Sequence, residues 1–95
     1  MRFEWDQAKS ESNRRKHGVS FNEAREVFDD PLHLSIRDER FSYFEERWII
    51  VGQTNDRHTL VVVNLFFDDD GEEVIRIISA RDATKNERRQ YEGHD

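Results

Sequence analysis

Apolar residues in this chain fall into a few dense runs separated by long polar stretches, and their spacing changes along the sequence. "RFEW" at the front alternates, placing Phe3 and Trp5 on one face of a short strand. "DQAKSESNRRKHG" has almost no apolar stripe beyond Ala8. With Asp6 placed to cap it and Gly18 to end it, it predicts a surface helix. Ser20 and Glu23 then form a capping box, and Phe21, Ala24, Val27 and Phe28 recur at helical spacing. A second helix, packed on the core, is expected there until "DDP" stops it.

From Leu32 the period becomes two, with Leu32, Leu34 and Ile36 alternating against His33, Ser35 and Arg37. "RWIIVGQT", "LVVVNLFF" and "VIRIIS" follow as strands, joined by "NDRH" and by the hairpin signal Asp70-Gly71. Thr84 and Glu87 make a second capping box for a short last helix that Tyr91 anchors. The predicted order is β-α-α-β-β-β-β-α. That is an α+β domain over residues 1–95, with an antiparallel sheet, two N-terminal helices and one C-terminal helix. The last strand, Val74 to Ser79, is apolar on both faces and is expected inside the sheet rather than at its edge.

That strand carries Arg76 between Ile75 and Ile77, and Arg81 waits where the chain leaves the sheet. A guanidinium among isoleucines must pair with an acid or open onto a cleft that accepts anions. The loop "RFSYFEERW" raises a similar choice. Phe41, Tyr43 and Phe44 are either buried beneath it or form a contact patch for another chain.

Composition narrows the function classes. With 95 residues the chain builds one modest core. It has no cysteine, so disulfides and thiolate metal sites are excluded, and no stretch reads as a signal peptide or membrane span. A soluble cytoplasmic protein, without membrane contact, is expected. The net charge of −6 counts against a general nucleic-acid binder. The acids are concentrated in "DDDGEE", however, while Lys9 to His17 is locally basic.

His17, His33, His58 and His94 lie on separate elements without metal-ligand spacing, and the glycines are isolated, so neither a metal nor a phosphate loop is indicated and no cofactor is expected. What remains is a set of cations with a few acids: Arg76 and Arg81, Arg88 and Arg89 on the last helix, Arg47 after Glu45 and Glu46, and Lys16 and His17 at the end of the first helix. Each also has a bland reading. Arg88 can pair with Glu92, Lys16 can serve the helix dipole, Glu46 can bridge an arginine, and Trp5 and Tyr91 can be core anchors.

"FEWDQAKSESNRRKHGVSFNEAREVFDDP", "EERW" and "IRIISARDATKNERRQY" together resemble the BrnT toxins of bacterial type II toxin–antitoxin systems, from Phe3 to Tyr91. The matching positions are Asp6, Lys9, Asn13, Lys16, His17, Glu46, Arg47, Arg76, Arg81, Glu87, Arg88 and Tyr91. The resemblance implies a RelE-like fold and a ribonuclease that blocks translation by cutting RNA. It implies neutralisation by a BrnA-type antitoxin carrying a ribbon-helix-helix DNA-binding part, with operator DNA bound only through that complex. It also implies metal-independent cleavage by attack of the 2′-hydroxyl on the adjacent phosphate. Arg76 and Arg81 then stabilise phosphate charge, Glu46 beside Arg47 is the base, and His17 or Lys16 is the acid or a phosphate contact. Lys9, Arg88 and Tyr91 contact RNA, Tyr91 being a further candidate acid. Two other classes stay open: a non-catalytic protein-interaction module, and a DNA-binding regulator, although no recognition helix with a basic face appears.

Overall fold

Strand β1 (Arg2–Glu4) leads into helices α1 (Gln7–His17) and α2 (Phe21–Arg25), the latter continuing as a 3₁₀ turn over Glu26–Asp29. Strands β2 (Leu34–Arg37), β3 (Glu46–Gln53), β4 (Thr59–Asp69) and β5 (Glu72–Asp82) follow, then helix α3 (Lys85–Glu92). The computed structural model describes residues 1–41 and 45–93, without the side chain of Phe41. The aromatic-loop expectation for Phe41, Tyr43 and Phe44 therefore lies outside the described residues, as does His94.

The expected element order is the observed one. The sheet order is β1-β5-β4-β3-β2, and here one expectation is corrected. The sheet is mixed rather than purely antiparallel, because β1 runs parallel to β5, with Arg2 opposite Val74 and Glu4 opposite Arg76. The other three pairings are antiparallel. Hairpin turns force that sense between β3, β4 and β5, whereas β1 is separated from β5 by most of the chain and no turn dictates its direction. β5 is flanked on both sides, as its two apolar faces require.

Local signals explain the element ends. The Asp6 carboxylate accepts from the Ala8 and Lys9 amides, and Gly18 ends α1 at φ 74°. Both capping boxes, Ser20/Glu23 and Thr84/Glu87, are complete. Asp70 and Gly71 both take positive φ, 54° and 91°, as the tightest hairpin turn demands. Leu32, expected to alternate with Leu34, is instead exposed, since β2 starts only at Leu34 after the Pro31 turn.

The sheet's two faces are covered differently. On the first, Phe21, Ala24 and Val27, all fully buried, pack over Ile50, Leu60, Val62, Ile77 and Ala80. On the second, Val51, Val61 and Ala83 pack with Leu34, Ile49 and Tyr91 from α3. The polar helix α1 is held by hydrogen bonds in place of an apolar stripe. Its buried residues are Ser10, whose Oγ accepts from the Phe21 amide, and Asn13. The Asn13 Nδ2 donates to the Val19 and Ala80 carbonyls at 2.8 and 2.7 Å, and its Oδ1 accepts from the Ala80 amide at 3.2 Å. Asn13 thus pairs with the edge of β5 beyond the last residue of β1, as a strand would.

Candidate functional site

A β-bulge organises the cationic residues. Along β4 and β5, Val63 pairs with Ser79 but Asn64 pairs with Ile77, so Ile78 is the extra residue. Arg76 and Arg81 are an odd number of positions apart, and a regular strand would send them to opposite faces. The bulge restores them to one face: Arg76 is opposite Leu65 and Arg81 opposite Val61, both on the second face. Arg47, also opposite Leu65, joins them from β3. Arg47 and Arg76 flank Leu65, about 10 Å apart across three strands, and Arg81 lies about 13 Å further along the sheet.

Both β5 arginines are paired. Arg76 Nη1 donates to Glu4 Oε2 at 3.0 Å, an ion pair that is about half exposed on the arginine side. The sequence reading considered Glu46 as a salt-bridge partner, but the partner of Arg76 is Glu4, which the parallel pairing of β1 sets directly opposite it. Arg81 holds Glu87 with two parallel bonds, Nη1 to Oε1 at 2.8 Å and Nη2 to Oε2 at 2.9 Å. The Arg81 fork, helped by the Thr84 amide, holds the Glu87 carboxyl down at about 2, and Glu87 in turn raises the Arg81 guanidinium. Glu87 is therefore fixed as a carboxylate.

Beside this pair opens a cleft of about 340 Å³ in which His17, Ser79, Arg81 and Glu87 surround Val61 and Val63. Asn13, one turn earlier on α1, brings His17 here by docking on Ala80. Lys16 is exposed next to His17, and Lys9 is exposed nearer the start of the same helix. Arg88 on α3 is exposed and donates to the Ala83 carbonyl at 2.9 Å.

Two sequence-predicted residues are not brought to the cations. Glu46 precedes Arg47 within β3, so alternation sends it to the first face, where its Oε1 accepts from Trp48 Nε1 at 3.1 Å. Tyr91 is half-buried against Val51 and Val61, and its hydroxyl donates to Asp30 Oδ2. Burial, then the Asp30 bond, pushes the Tyr91 phenol up to about 12. Burial alone would raise Asp30. Its bonds from Tyr91 and from the Gln53 and Leu32 amides outweigh that and leave it lowered. Glu4 was missed by sequence reading. The only signal for it is its alternation with Phe3 in "RFEW". Among the described residues no group of three or more His, Asp or Glu side chains is arranged to hold a metal ion.

This arrangement, a mixed five-stranded sheet with a polar helix docked on one edge and arginines lined along one face, defines a small α+β domain. Its backbone is similar to the crystal structure of the Brucella abortus ribonuclease toxin BrnT, with a TM-score of 0.58 and 23% identity over 90% of this chain and 99% of that one. Residues 5–87 match the family of the ribonuclease toxin BrnT of type II toxin–antitoxin systems, and the chain belongs to that family. No curated protein matches it. No helix among the described residues is long and apolar enough to cross a membrane.

Proposed function

We propose that the chain is a cytoplasmic endoribonuclease toxin that cleaves RNA without a metal, with the RNA laid across the arginine face. The RelE-like reading of the fold belongs to the same proposal. The observation that carries it is the bulge at Ile78, which aligns Arg76 and Arg81 with Arg47 beside His17. In the reaction the 2′-oxygen forms a bond to the adjacent phosphorus while the bond to the 5′-oxygen breaks. The products are a 2′,3′-cyclic phosphate and a free 5′-hydroxyl. Imidazole is suited to move the proton between these oxygens, which assigns that work to His17. Arg81 meets the non-bridging phosphate oxygens by sharing its fork with Glu87, and Arg76 and Arg47 meet neighbouring phosphates. Lys16, Lys9 and Arg88 extend the contact. Glu46, on the opposite face, takes no part in this proton transfer, and Tyr91 supports α3 from beneath.

Cleavage of this kind inhibits translation, and a BrnA-type antitoxin with a ribbon-helix-helix part neutralises the toxin and alone contacts operator DNA. The test is incubation of the purified protein with RNA in EDTA, with analysis of the product ends. Cyclic phosphates in EDTA are expected; cleavage that appears only when a divalent ion is supplied overturns the metal-free reading.

A further inference from the structure

On the first face of the sheet, away from the arginine row, lies a cleft of about 390 Å³. Trp48, Phe28 and Phe66 wall it, and Glu46, Ser35 and Asn64 contribute polar groups. Among the described residues no arginine or lysine lines it, whereas Asp29 and Glu46 stand at it with His33.

Asn64 is the unusual member. It is 2% exposed, lies opposite both Trp48 and Ile77 at the bulge, and donates through Nδ2 to the Leu65 carbonyl at 3.2 Å. Its Oδ1 is buried with no hydrogen-bond donor. A buried acceptor left unsatisfied is a standing cost that the fold tolerates at few places. Glu46 accepts from Trp48 through Oε1. An apolar, aromatic-walled cleft with one unfilled acceptor and two acidic residues suits a long apolar stem ending in a cationic, multi-donor head. Arginine fits that description: three methylenes, a guanidinium that stacks on indole, and a fork of five donors.

We propose that this cleft receives an arginine side chain presented by the antitoxin, its stem between Trp48 and Phe66 and its head shared by Glu46 and Asn64. The inference rests on the antitoxin partnership proposed above and adds where the partner anchors. Two observations favour a protein over RNA here. The cleft carries carboxylates, which repel phosphate, and the chain's net charge is −6, which favours a basic segment. Arginine is also among the residues that most often dominate protein interfaces.

The experiment measures antitoxin affinity by titration calorimetry for the wild-type toxin, Asn64→Leu and Glu46→Gln, with thermal midpoints and RNA cleavage recorded in parallel. Asn64→Leu keeps the volume and removes the unsatisfied acceptor, so its midpoint is expected equal or higher, while its antitoxin affinity falls at least tenfold. Glu46→Gln is expected to weaken the antitoxin similarly, and it carries the test on its own if the leucine variant does not fold. Nα-acetyl-arginine amide, titrated against the Trp48 indole N–H signal, is expected to give a saturable shift that Glu46→Gln removes. Folded variants that bind antitoxin within twofold of wild type overturn the proposal. So does a loss of RNA cleavage with antitoxin affinity kept, which assigns the cleft to a nucleobase, or an equal shift from Nα-acetyl-leucine amide. Wild-type toxin that binds antitoxin but leaves RNA uncut sinks the ribonuclease reading and leaves the anchor intact.

Discussion

Arg76 and Arg81 share one face of the sheet although their spacing in a regular strand would divide them, because Ile78 bulges between Val63 and Asn64 of the neighbouring strand. That shared face is the basis for treating them as one phosphate-contacting row. Each is held by a carboxylate, Glu4 or Glu87, and an arginine row balanced in this way is pre-aligned without being an exposed block of like charge.

Arg76→Met separates packing from chemistry. The Arg76–Glu4 pair is half exposed, and Glu4 retains Arg2 at 3.4 Å, so stability should change by less than about 1 kcal/mol. Loss of one charge contact in the transition state should lower RNA cleavage by about 10²–10³. Glu4→Gln should act in the opposite sense, releasing Arg76 and tightening RNA binding at low salt. Thermal midpoints and cleavage rates for the two variants check this, and wild-type cleavage by folded Arg76→Met would remove Arg76 from the site.

Asn13→Ala should be the most damaging change on α1. Asn13 is buried and makes three hydrogen bonds, and its loss leaves the Ala80 amide and carbonyl at an unpaired strand edge. Unsatisfied buried backbone groups cost about 1–3 kcal/mol each, and a total near 2–3 kcal/mol is expected. Urea unfolding measures it. His17 is positioned through the same contact, so cleavage should fall beyond what the unfolded fraction explains.

The capping boxes, the Asp70-Gly71 turn and the period-two runs were legible in the sequence because each depends on neighbours within a few positions. The direction of β1 was not, since Arg2 and Val74 meet across most of the chain and no local signal specifies their sense. The bulge at Ile78 leaves no mark either, because an isoleucine suits a regular strand as well as an irregular one. The partner of Arg76 follows from that parallel pairing and was hidden with it. The separation of Glu46 from Arg47 was in principle legible. Adjacent residues of one strand face opposite ways, but the strand's start could not be read to the residue. Asn13 announced itself only by default, as a polar residue on a helix with no apolar stripe to hold it.

Tyr91→Phe tests whether α3 is tied down through Asp30. The Tyr91 phenol has a folded value near 12, above its ordinary 10.0, so its bond to Asp30 stabilises the fold below pH 10 and is lost as pH rises toward 12. The variant should lose about 1 kcal/mol at neutral pH and lack that part of the alkaline dependence. Chemical denaturation of both proteins at pH 7 and pH 11 measures the difference. An unchanged midpoint at both values would show that apolar packing and the Arg81–Glu87 and Arg88–Ala83 bonds hold the helix without Asp30.

The Arg81–Glu87 fork makes the acid side of the stability profile predictable. Glu87 is lowered from 4.5 to about 2 in the fold, chiefly by its hydrogen bonds from Arg81. A depressed carboxyl contributes stability that is complete above its unfolded value and lost as pH falls through its folded one, here between about pH 4.5 and 2. The Arg81 side chain is 43% exposed, so solvent screening cuts the contribution to about 1 kcal/mol. Glu87→Gln should remove that part of the acid dependence while keeping a hydrogen-bonding group near Thr84. Urea denaturation from pH 2 to pH 7 is the measurement. The difference between wild type and variant should be constant above pH 5 and close as pH approaches 2. Asp30, also lowered, titrates in both proteins and cancels from the comparison. Parallel curves over the whole range would mean that the fork adds no net stability. Arg81 would then release Glu87 without penalty when a phosphate arrives.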